Sequence, residues 1–241
     1  MRCGLAIAVA IATMLVATHS GFARDLQLYA SEAPPLTMPQ EGMHGIVGDV
    51  VLEAAKRTGH TVNLHFDPWV REQAMVADGV DLLIAPLSRT AEREDHFTWI
   101  APVIDVGLGF ATVGNTVSSY AEGLVKFQKI ALLRASIGRL ALPRQGFADS
   151  QLFEVHTLTS VLELLRRGRA DAWFDSIPVL KWVLKQQPDT TDIIVGPPVA
   201  KVGSYLACSK VCAPDLVKSL RGAIDEIKAD GTYDKILARY Q

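Results

Sequence analysis

The residues best suited to chemistry lie in one short segment that follows an apolar run. Ser88, Arg89, Thr90 and Arg93 are close neighbours there. A guanidinium presents a planar fork of N–H donors, and such a fork pairs with a carboxylate through two hydrogen bonds. Taken alone, the spacing favours a simpler pairing of Arg93 with an acidic neighbour on a solvated helix face. The candidates for that pairing are Glu92, Glu94 and Asp95.

Two further positions lie where predicted strands end. Residues 67–71 join a strand to a helix, so Trp69 lies at the carboxyl end of a strand, where open α/β folds bind ligands. Trp69 either stacks on a ligand or fills the core, and both interpretations stay open. Ser136 follows the predicted strand 129–134. Its hydroxyl and the free N–H groups at a helix start are able to hold a carboxylate.

Other common kinds of site find no support in the sequence. The histidines outside the first 23 residues are scattered, with no His-x-x-His or Glu-x-x-His spacing, so they indicate no metal. The sequence also contains no Gly-x-Ser-x-Gly elbow, P-loop or dinucleotide-binding glycine pattern. We therefore expect no cofactor.

The composition is that of a globular protein. Of 241 residues, 49% are apolar and 21% are charged, which excludes disordered and fibrous classes. Lys and Arg total 24 against 26 Asp and Glu, a net charge of -2, and no basic stripe is visible. We therefore expect no nucleic-acid partner.

The first residues have the pattern of a signal peptide. Arg2 precedes an apolar run over 5–17, and residues 21–23 fit the small-x-small cleavage rule, with cleavage after Ala23. The run is too short to cross about 30 Å of hydrocarbon. The alternative is a buried N-terminal helix. We predict an exported, periplasmic protein.

Export changes the interpretation of the cysteines. After cleavage Cys208 and Cys212 remain, an even number in an oxidising compartment. We predict a disulfide between them, which contributes about 2 kcal/mol because the closed loop is short. A zinc site is disfavoured because no histidine lies nearby, and two free, partly buried thiols are the remaining alternative.

Short apolar strands alternate with amphipathic helices along the chain, which predicts an α/β fold with largely parallel sheets. The predicted strands cover 26–30, 61–66, 80–85, 106–113, 129–134, 170–174, 193–195 and 203–207. Helices are predicted over 49–57, from 68 to before 79, from a Ser160–Glu163 capping box to 168, from 178, from 214, and from a Thr232 cap to 240.

Several segments resemble the periplasmic solute-binding proteins of ABC importers, family 3, the polar amino-acid binding type. Residues 79–94, which include Thr90-Ala91-Glu92-Arg93, run on to a Phe97-to-Pro102 strand entry, and together they are similar to the family's most specific motif. Residues 164–175 resemble the Gly-Arg-x-Asp-Ala strand of the second lobe, and 229–236 resemble the family's ending. The resemblance covers nearly all of residues 25–241.

The resemblance implies roles for particular residues. Arg93 grips the ligand carboxylate, assisted by Ser88 in the same turn as Thr90, and Arg89 is a further candidate. An aspartate beyond the second-lobe strand receives the ligand ammonium. Asp175 stands one place before the usual position of that aspartate, where this chain has Ser176, so an α-amino-acid ligand is in doubt. The ligand-binding candidates are Arg93, Ser88, Thr90, Ser136, Asp175, Trp69 and Arg89.

The resemblance also implies a type II periplasmic binding fold with two lobes and a hinge of two crossing segments. Residues 24–113 and 200–241 form lobe one, 114–199 form lobe two, and 1–23 are the signal peptide. The expected protein is a monomer, not an enzyme. It traps a carboxylate-bearing amino acid or organic acid and delivers it to an ABC permease of the inner membrane. Two alternatives stay open: a periplasmic prephenate-type (cyclohexadienyl) dehydratase on the same fold, and a binder that serves a sensor or an exported oxidoreductase.

Overall fold

The computed structural model describes residues 23–187 and 190–240, so the signal-peptide prediction falls on residues outside the described part. The strands are β1 (Asp25–Tyr29), β2 (Thr61–His65), β3 (Leu83–Ser88), β4 (Phe97–Val113), β5 (Ile130–Leu133), β6 (Leu152–Val155), β7 (Ala172–Ser176), β8 (Ile193–Val195) and β9 (Ala200–Ser209). The helices are α1 (Ile46–Arg57), α2 (Trp69–Asp78), α3 (Tyr120–Lys126), α4 (Ile137–Arg144), α5 (Leu158–Arg166), α6 (Ile177–Lys185), α7 (Pro214–Ala229) and α8 (Thr232–Ala238). None of these helices has the length and apolar character needed to cross a membrane.

Two groups of parallel strands form the two lobes. β1 pairs in parallel with β2 and β3, and β5 pairs in parallel with β6 and β7. The strand order is β2-β1-β3-β9-β4-β7-β5-β6, with β8 beside β4. Helices alternate with these strands along the chain. The α/β prediction is therefore confirmed.

Two long antiparallel strands connect the lobes. β4 and β9 pair from Phe97 opposite Ser209 to Leu108 opposite Ala200. From Leu108 onward β4 pairs with β7, so each end of β4 belongs to a different part of the sheet. The sequence predicted only residues 106–113 as a strand, because prolines and glycines interrupt the apolar pattern. Register shifts near Trp99 and Pro102 accommodate these interruptions in the observed strand.

Several local predictions differ from the structure. Thr157, not Ser160, caps α5: its hydroxyl accepts a hydrogen bond from the Ser160 N–H at 3.1 Å. Thr157 has extended backbone angles, whereas Ser160 already lies inside the helix, so the predicted capping box is wrong. Gly231, in a left-handed conformation, takes the N-cap position of α8 instead of Thr232. α3 and β6 are absent from the sequence prediction, and only the start of α4 at Ser136 is expected there, because Pro143 inside α4 obscures the helical pattern.

Buried apolar side chains fill both lobes beneath the helices. The described core of lobe two is rich in aromatic residues, and its four phenylalanines are Phe110, Phe127, Phe147 and Phe174. In lobe one, α1 and α7 bury aliphatic faces on the sheet, with Val47, Val50, Leu216 and Leu220 fully covered. This packing leaves the carboxyl ends of the parallel strands free to form a site.

Cys208 and Cys212 form a disulfide with a Cα–Cα distance of 6.1 Å, as the sequence predicted. Asp81 lies beside the two sulfurs, the one cluster of metal-ligating atoms found among the described residues. Both sulfurs are bonded to each other, and an Asp81 carboxylate oxygen accepts the Ala213 N–H at 2.6 Å. The cluster therefore has a structural role.

Replacing both cysteines with alanine is expected to lower the melting temperature by about 4–8 °C. The reason is that the short loop contributes about 2 kcal/mol, and each kcal/mol is worth about 2–4 °C in a protein of this size. Differential scanning calorimetry measures the change. Reductant should lower the melting temperature of the wild type and leave that of the double variant unaltered. Equal melting temperatures for oxidised and reduced wild type would contradict this.

Candidate ligand-binding cleft

A cavity of about 650 Å³ lies between the two lobes, at the carboxyl ends of parallel strands from both. Lobe one contributes residues at or just beyond the ends of β1, β2 and β3, among them Ser31, Glu32, Asp67, Trp69, Ser88 and Arg93. Lobe two contributes residues at or just beyond the ends of β5, β6 and β7, among them Arg134, Ser136, His156, Thr157, Asp175 and Ser176. Open α/β folds bind ligands at the carboxyl ends of their parallel strands.

Arg93 is the buried cation of this cavity. Its side chain is only 7% exposed. Nη1 donates to the Ser88 carbonyl at 3.1 Å, and Nη2 donates to Gln73 Oε1 at 2.9 Å and to the Ala135 carbonyl at 3.1 Å. All three acceptors are neutral. The guanidinium is thus held in place by hydrogen bonds that leave its charge without an anionic partner among the described residues.

The acidic neighbours of Arg93 pair with other arginines. Glu94 pairs with Arg89, and Glu92 pairs with Arg144 of α4. The simpler interpretation, in which Arg93 pairs with an adjacent carboxylate, is therefore not what the structure shows. Burial lowers the pKa of Arg93 to about 10, while the charge of Glu92 acts in the opposite direction. Arg93 remains charged at neutral pH, and a buried charge of this kind is costly unless an anion joins it.

Asp175 is the corresponding buried anion, and it belongs to lobe two. The residue is 9% exposed. Its Oδ1 accepts the Ser176 N–H at 2.7 Å, and no lysine or arginine of the described residues pairs with it. Burial raises the pKa of its carboxyl group to about 6. Asp175 and Ser176 both line the cavity, so the one-place offset from the family position does not remove Asp175 from it.

Hydroxyl groups and one aromatic ring complete the lining. Ser136 and Ser204 line the cavity, and each has a buried Oγ without a hydrogen-bond partner among the described residues. Ser88 lines it as well. Trp69 is half-buried: it packs on the cluster around Val76 and also lines the cavity. Trp69 thus contributes to the core and is accessible from the cavity, and its stacking on a ligand stays a prediction.

Two of the predicted site residues lie away from the cavity. Arg89 is exposed, donates from Nε to Glu94 at 2.9 Å, and lies over the rings of Trp99 and Tyr205. Thr90 shapes the turn, because its carbonyl accepts the Arg93 N–H at 3.1 Å. Neither residue lines the cavity. The turn directs Arg93 inward and Arg89 outward, so this geometry gives no support to Arg89 or Thr90 as ligand contacts.

Sequence reasoning missed two residues of this site. Ser204 lies on β9, opposite Ser88 and Ile104, so only the pairing of the returning strand brings it to the cavity. Gln73 follows Trp69 by one helical turn and therefore shares its face of α2. That spacing was the available signal for Gln73, whereas nothing local identified Ser204.

Glu72 is a buried carboxyl group beside the cavity. It is fully buried on α2, and its Oε1 accepts the Asp67 N–H at 2.8 Å. Its Oε2 has no partner among the described residues. Burial raises the pKa of Glu72 to about 7. Glu72 thus fixes the loop that leads to Trp69 and is partly protonated at neutral pH.

The variant Glu72→Gln is expected to be more stable than the wild type at pH 8, by roughly 1–3 kcal/mol. The raised pKa of Glu72 stabilises the folded wild type below about pH 4.5, and this contribution is lost as the pH rises through about 7. The stability difference should therefore widen over that interval and stay constant above it. Chemical denaturation at several pH values measures it, with the exposed Glu226→Gln as control. If the difference in the free energy of unfolding between Glu72→Gln and the wild type did not change with pH, the raised pKa of Glu72 would be contradicted.

The architecture defines a class: a two-lobe α/β binding protein of the type II periplasmic fold. The family model described as "Bacterial extracellular solute-binding proteins, family 3" matches residues 28–241. The chain therefore belongs to this family. No curated protein sequence matches it significantly.

Solved structures share the fold at low sequence identity. An ancestral arginine-binding protein bound to glutamine is similar with a TM-score of 0.78 and 21% identity over 90% of this chain and 97% of that one. The arginine-, lysine-, histidine-binding protein ArtJ from Geobacillus stearothermophilus has a TM-score of 0.78 and 17% identity over 90% and 94%. A histidine kinase sensor domain similar to periplasmic binding proteins has a TM-score of 0.80 and 17% identity over 90% and 96%.

Proposed function

We propose that the protein binds a small amino-acid-like zwitterion between its lobes and delivers it to an ABC permease. One observation carries this proposal: Arg93 and Asp175 line the same cavity from opposite lobes, and neither has an oppositely charged partner among the described residues. A ligand with a carboxylate and an ammonium group satisfies both. Such a ligand also offsets the cost of burying each charge.

The closing motion follows from the connections between the lobes. β4 and β9 are the two crossing strands, and bending of both is the hinge motion that opens the cavity. The lobe boundaries of 24–113 with 200–241, and 114–199, stay a prediction. Closure brings Asp175 towards Arg93, so a ligand that contacts both residues stabilises the closed form.

The lining indicates what the rest of the ligand is like. Aliphatic side chains form the wall near Asp175, including Val106, Leu108, Val179 and Val202. The rim carries charges of both signs: Glu32, Asp67 and Arg134. An apolar ligand body against this wall, with its charged ends at Arg93 and Asp175, uses both kinds of surface.

Family membership supports the cellular part of the proposal. Extracellular solute-binding proteins act outside the cytoplasmic membrane, which agrees with the predicted signal peptide and cleavage after Ala23. We infer a periplasmic monomer whose closed form is recognised by the permease. Deletion of the gene should abolish uptake of the bound amino acid into intact cells, and unchanged uptake would instead point to a sensory role.

A thermal-shift screen of the standard L-amino acids and small organic acids tests the binding function. A ligand present at 100 times its dissociation constant stabilises the folded protein by about 2.7 kcal/mol. That corresponds to a rise in melting temperature of about 5–10 °C. Amides and amines without a carboxylate serve as controls and should give no shift. The proposal fails if no carboxylate-bearing compound shifts the melting temperature.

A second candidate, a dehydratase on the same fold, is favoured by one feature of Asp175. A carboxyl group with a pKa of about 6, lining an apolar wall, is able to donate a proton to a leaving hydroxyl group. Incubation with prephenate tests this. Product formation that is lost in Asp175→Asn would establish an enzyme, whereas binding without turnover supports the transport function.

A further inference from the structure

Gln73 connects the carboxylate-binding residue to the opposite lobe. It lies on α2 in lobe one, half-buried behind Arg93 and outside the cavity lining. Its Oε1 accepts from Arg93 Nη2 at 2.9 Å, and its Nε2 donates to the Ala135 carbonyl at 3.4 Å. Nε2 also lies 3.4 Å from the Trp69 carbonyl. A single amide side chain therefore contacts three parts of the binding machinery.

Ala135 presents the acceptor that receives these donors. It lies in lobe two, in the turn between β5 and α4, directly before Ser136. Its carbonyl accepts from both Arg93 Nη2, at 3.1 Å, and Gln73 Nε2. The backbone of Ala135 has a positive φ of 56°, a conformation that is unfavourable for a residue with a side chain. The two donors from lobe one stabilise this turn when the lobes meet.

We propose that Gln73 is a closure residue, which joins the lobes through Arg93 and Ala135 and so controls how long a ligand stays bound. This inference rests on the proposed function for its kinetic consequence, but the closure contact itself is made by the protein alone. Hydrogen bonds from Gln73 and Arg93 of lobe one to the Ala135 carbonyl of lobe two favour the closed form even when no ligand is bound.

The neutral amide suits this position for an electrostatic reason. Gln73 Oε1 holds the guanidinium without neutralising it, so the charge of Arg93 stays available to a ligand carboxylate. The variant Gln73→Glu would give Arg93 an internal anion instead. It should therefore weaken amino-acid binding more than Gln73→Ala does, although glutamate is closer in shape to glutamine.

A second contact between the lobes provides an internal comparison. Glu92 of lobe one pairs with Arg144 at the end of α4 in lobe two. Both side chains are more than 40% exposed, so water and salt screen the pair. We expect Glu92→Gln to alter closure by less than about threefold, and only at low salt, whereas the effect of Gln73 should persist at high salt.

Closure is measured without any ligand by the distance between spin labels on the two lobes. Labels on cysteines at the exposed positions Lys56 and Lys185 report the separation by pulsed electron resonance. Gln73→Ala should lower the ratio of closed to open molecules about three- to tenfold, as expected for the loss of the neutral hydrogen bond from Gln73 to the Ala135 carbonyl of lobe two. The exposed Gln145→Ala, in lobe two, is the matched control. Identical distance distributions for the wild type and Gln73→Ala would overturn the inference.

Stopped-flow kinetics supply the second readout, with the L-amino acid that gives the largest thermal shift as probe. Gln73→Ala should raise the dissociation rate about tenfold and change the association rate by less than twofold. Its melting temperature without ligand should match that of the wild type within about 2 °C, which separates closure from a general structural role. A dissociation rate in Gln73→Ala equal to that of the wild type would contradict the inference. If no amino acid binds the wild type, the proposed function fails, and the distance measurement still decides the role of Gln73.

Discussion

Replacing Arg93 with alanine is expected to weaken ligand binding by about thirty- to several-thousand-fold. The variant removes the guanidinium fork and leaves the ligand carboxylate desolvated without a cation, which costs about 2–5 kcal/mol. Arg93→Lys should also lose most of the affinity, because an ammonium group cannot form the two parallel hydrogen bonds. Isothermal titration calorimetry with the best ligand of the thermal-shift screen measures the change.

Arg89→Ala is the matched control for Arg93→Ala. Both variants remove an arginine from the same turn, but Arg89 is exposed, pairs with Glu94 and lies outside the cavity. Its loss should leave the affinity unchanged within about threefold, since exposed ion pairs contribute little. Equal losses in the two variants, or no loss in Arg93→Ala, would show that the turn has only a structural role in this chain.

Replacing Asp175 with asparagine is expected to make the empty protein more stable and nearly unable to bind. Burial raises the pKa of Asp175 to about 6 from 3.8, so the ionised carboxylate destabilises the fold at neutral pH. Asparagine keeps an oxygen for the Ser176 N–H and carries no charge. We expect a gain of about 1–3 kcal/mol above pH 6. The loss of the ammonium partner should weaken binding about thirtyfold or more.

The pH dependence separates this effect from a general improvement in packing. The raised pKa of Asp175 stabilises the wild type fully below about pH 4, and the contribution is lost as the pH rises through about 6. The advantage of Asp175→Asn should therefore grow between these values and then stay constant. Denaturant titrations at pH 4, 5, 6 and 7.5 test it, with the exposed Asp225→Asn as control. An advantage already complete at pH 4 would mean that ionisation is not its cause.

The sequence predicted the α/β class well because most strands and helices depend on local patterns, whereas the two-lobe arrangement was implied by the family resemblance. Alternating apolar runs and turn residues are visible within a few positions, and they define most of the strands and helices. β4 was predicted too short because its register shifts depend on pairing with β9, a strand about a hundred positions away in the chain. The cap of α5 was misassigned because serine is by residue type the better N-cap, whereas the backbone places Thr157 at the cap and Ser160 inside the helix.

The site was predictable only where a motif identified it. Arg93 and Arg89 have the same side chain in the same turn, and tertiary contacts decide which one faces the cavity: Glu94, Trp99 and Tyr205 hold Arg89 outside. Gln73 and Ala135 are 62 positions apart, so their contact has no local signature. Glu72 was missed because a glutamate in the first turn of a helix is ordinarily solvated, and only the packing of α2 buries it.

The most direct test of the account compares one ligand with its own carboxamide. The best L-amino acid of the screen and the amide of the same amino acid differ only at the group assigned to Arg93, and both keep the ammonium group assigned to Asp175. Calorimetric titration of the wild type should show that the amide binds at least about thirtyfold more weakly, because the guanidinium is then left without an anion. Equal affinity for the acid and the amide would contradict the account, because Arg93 would then not be the residue that holds the ligand.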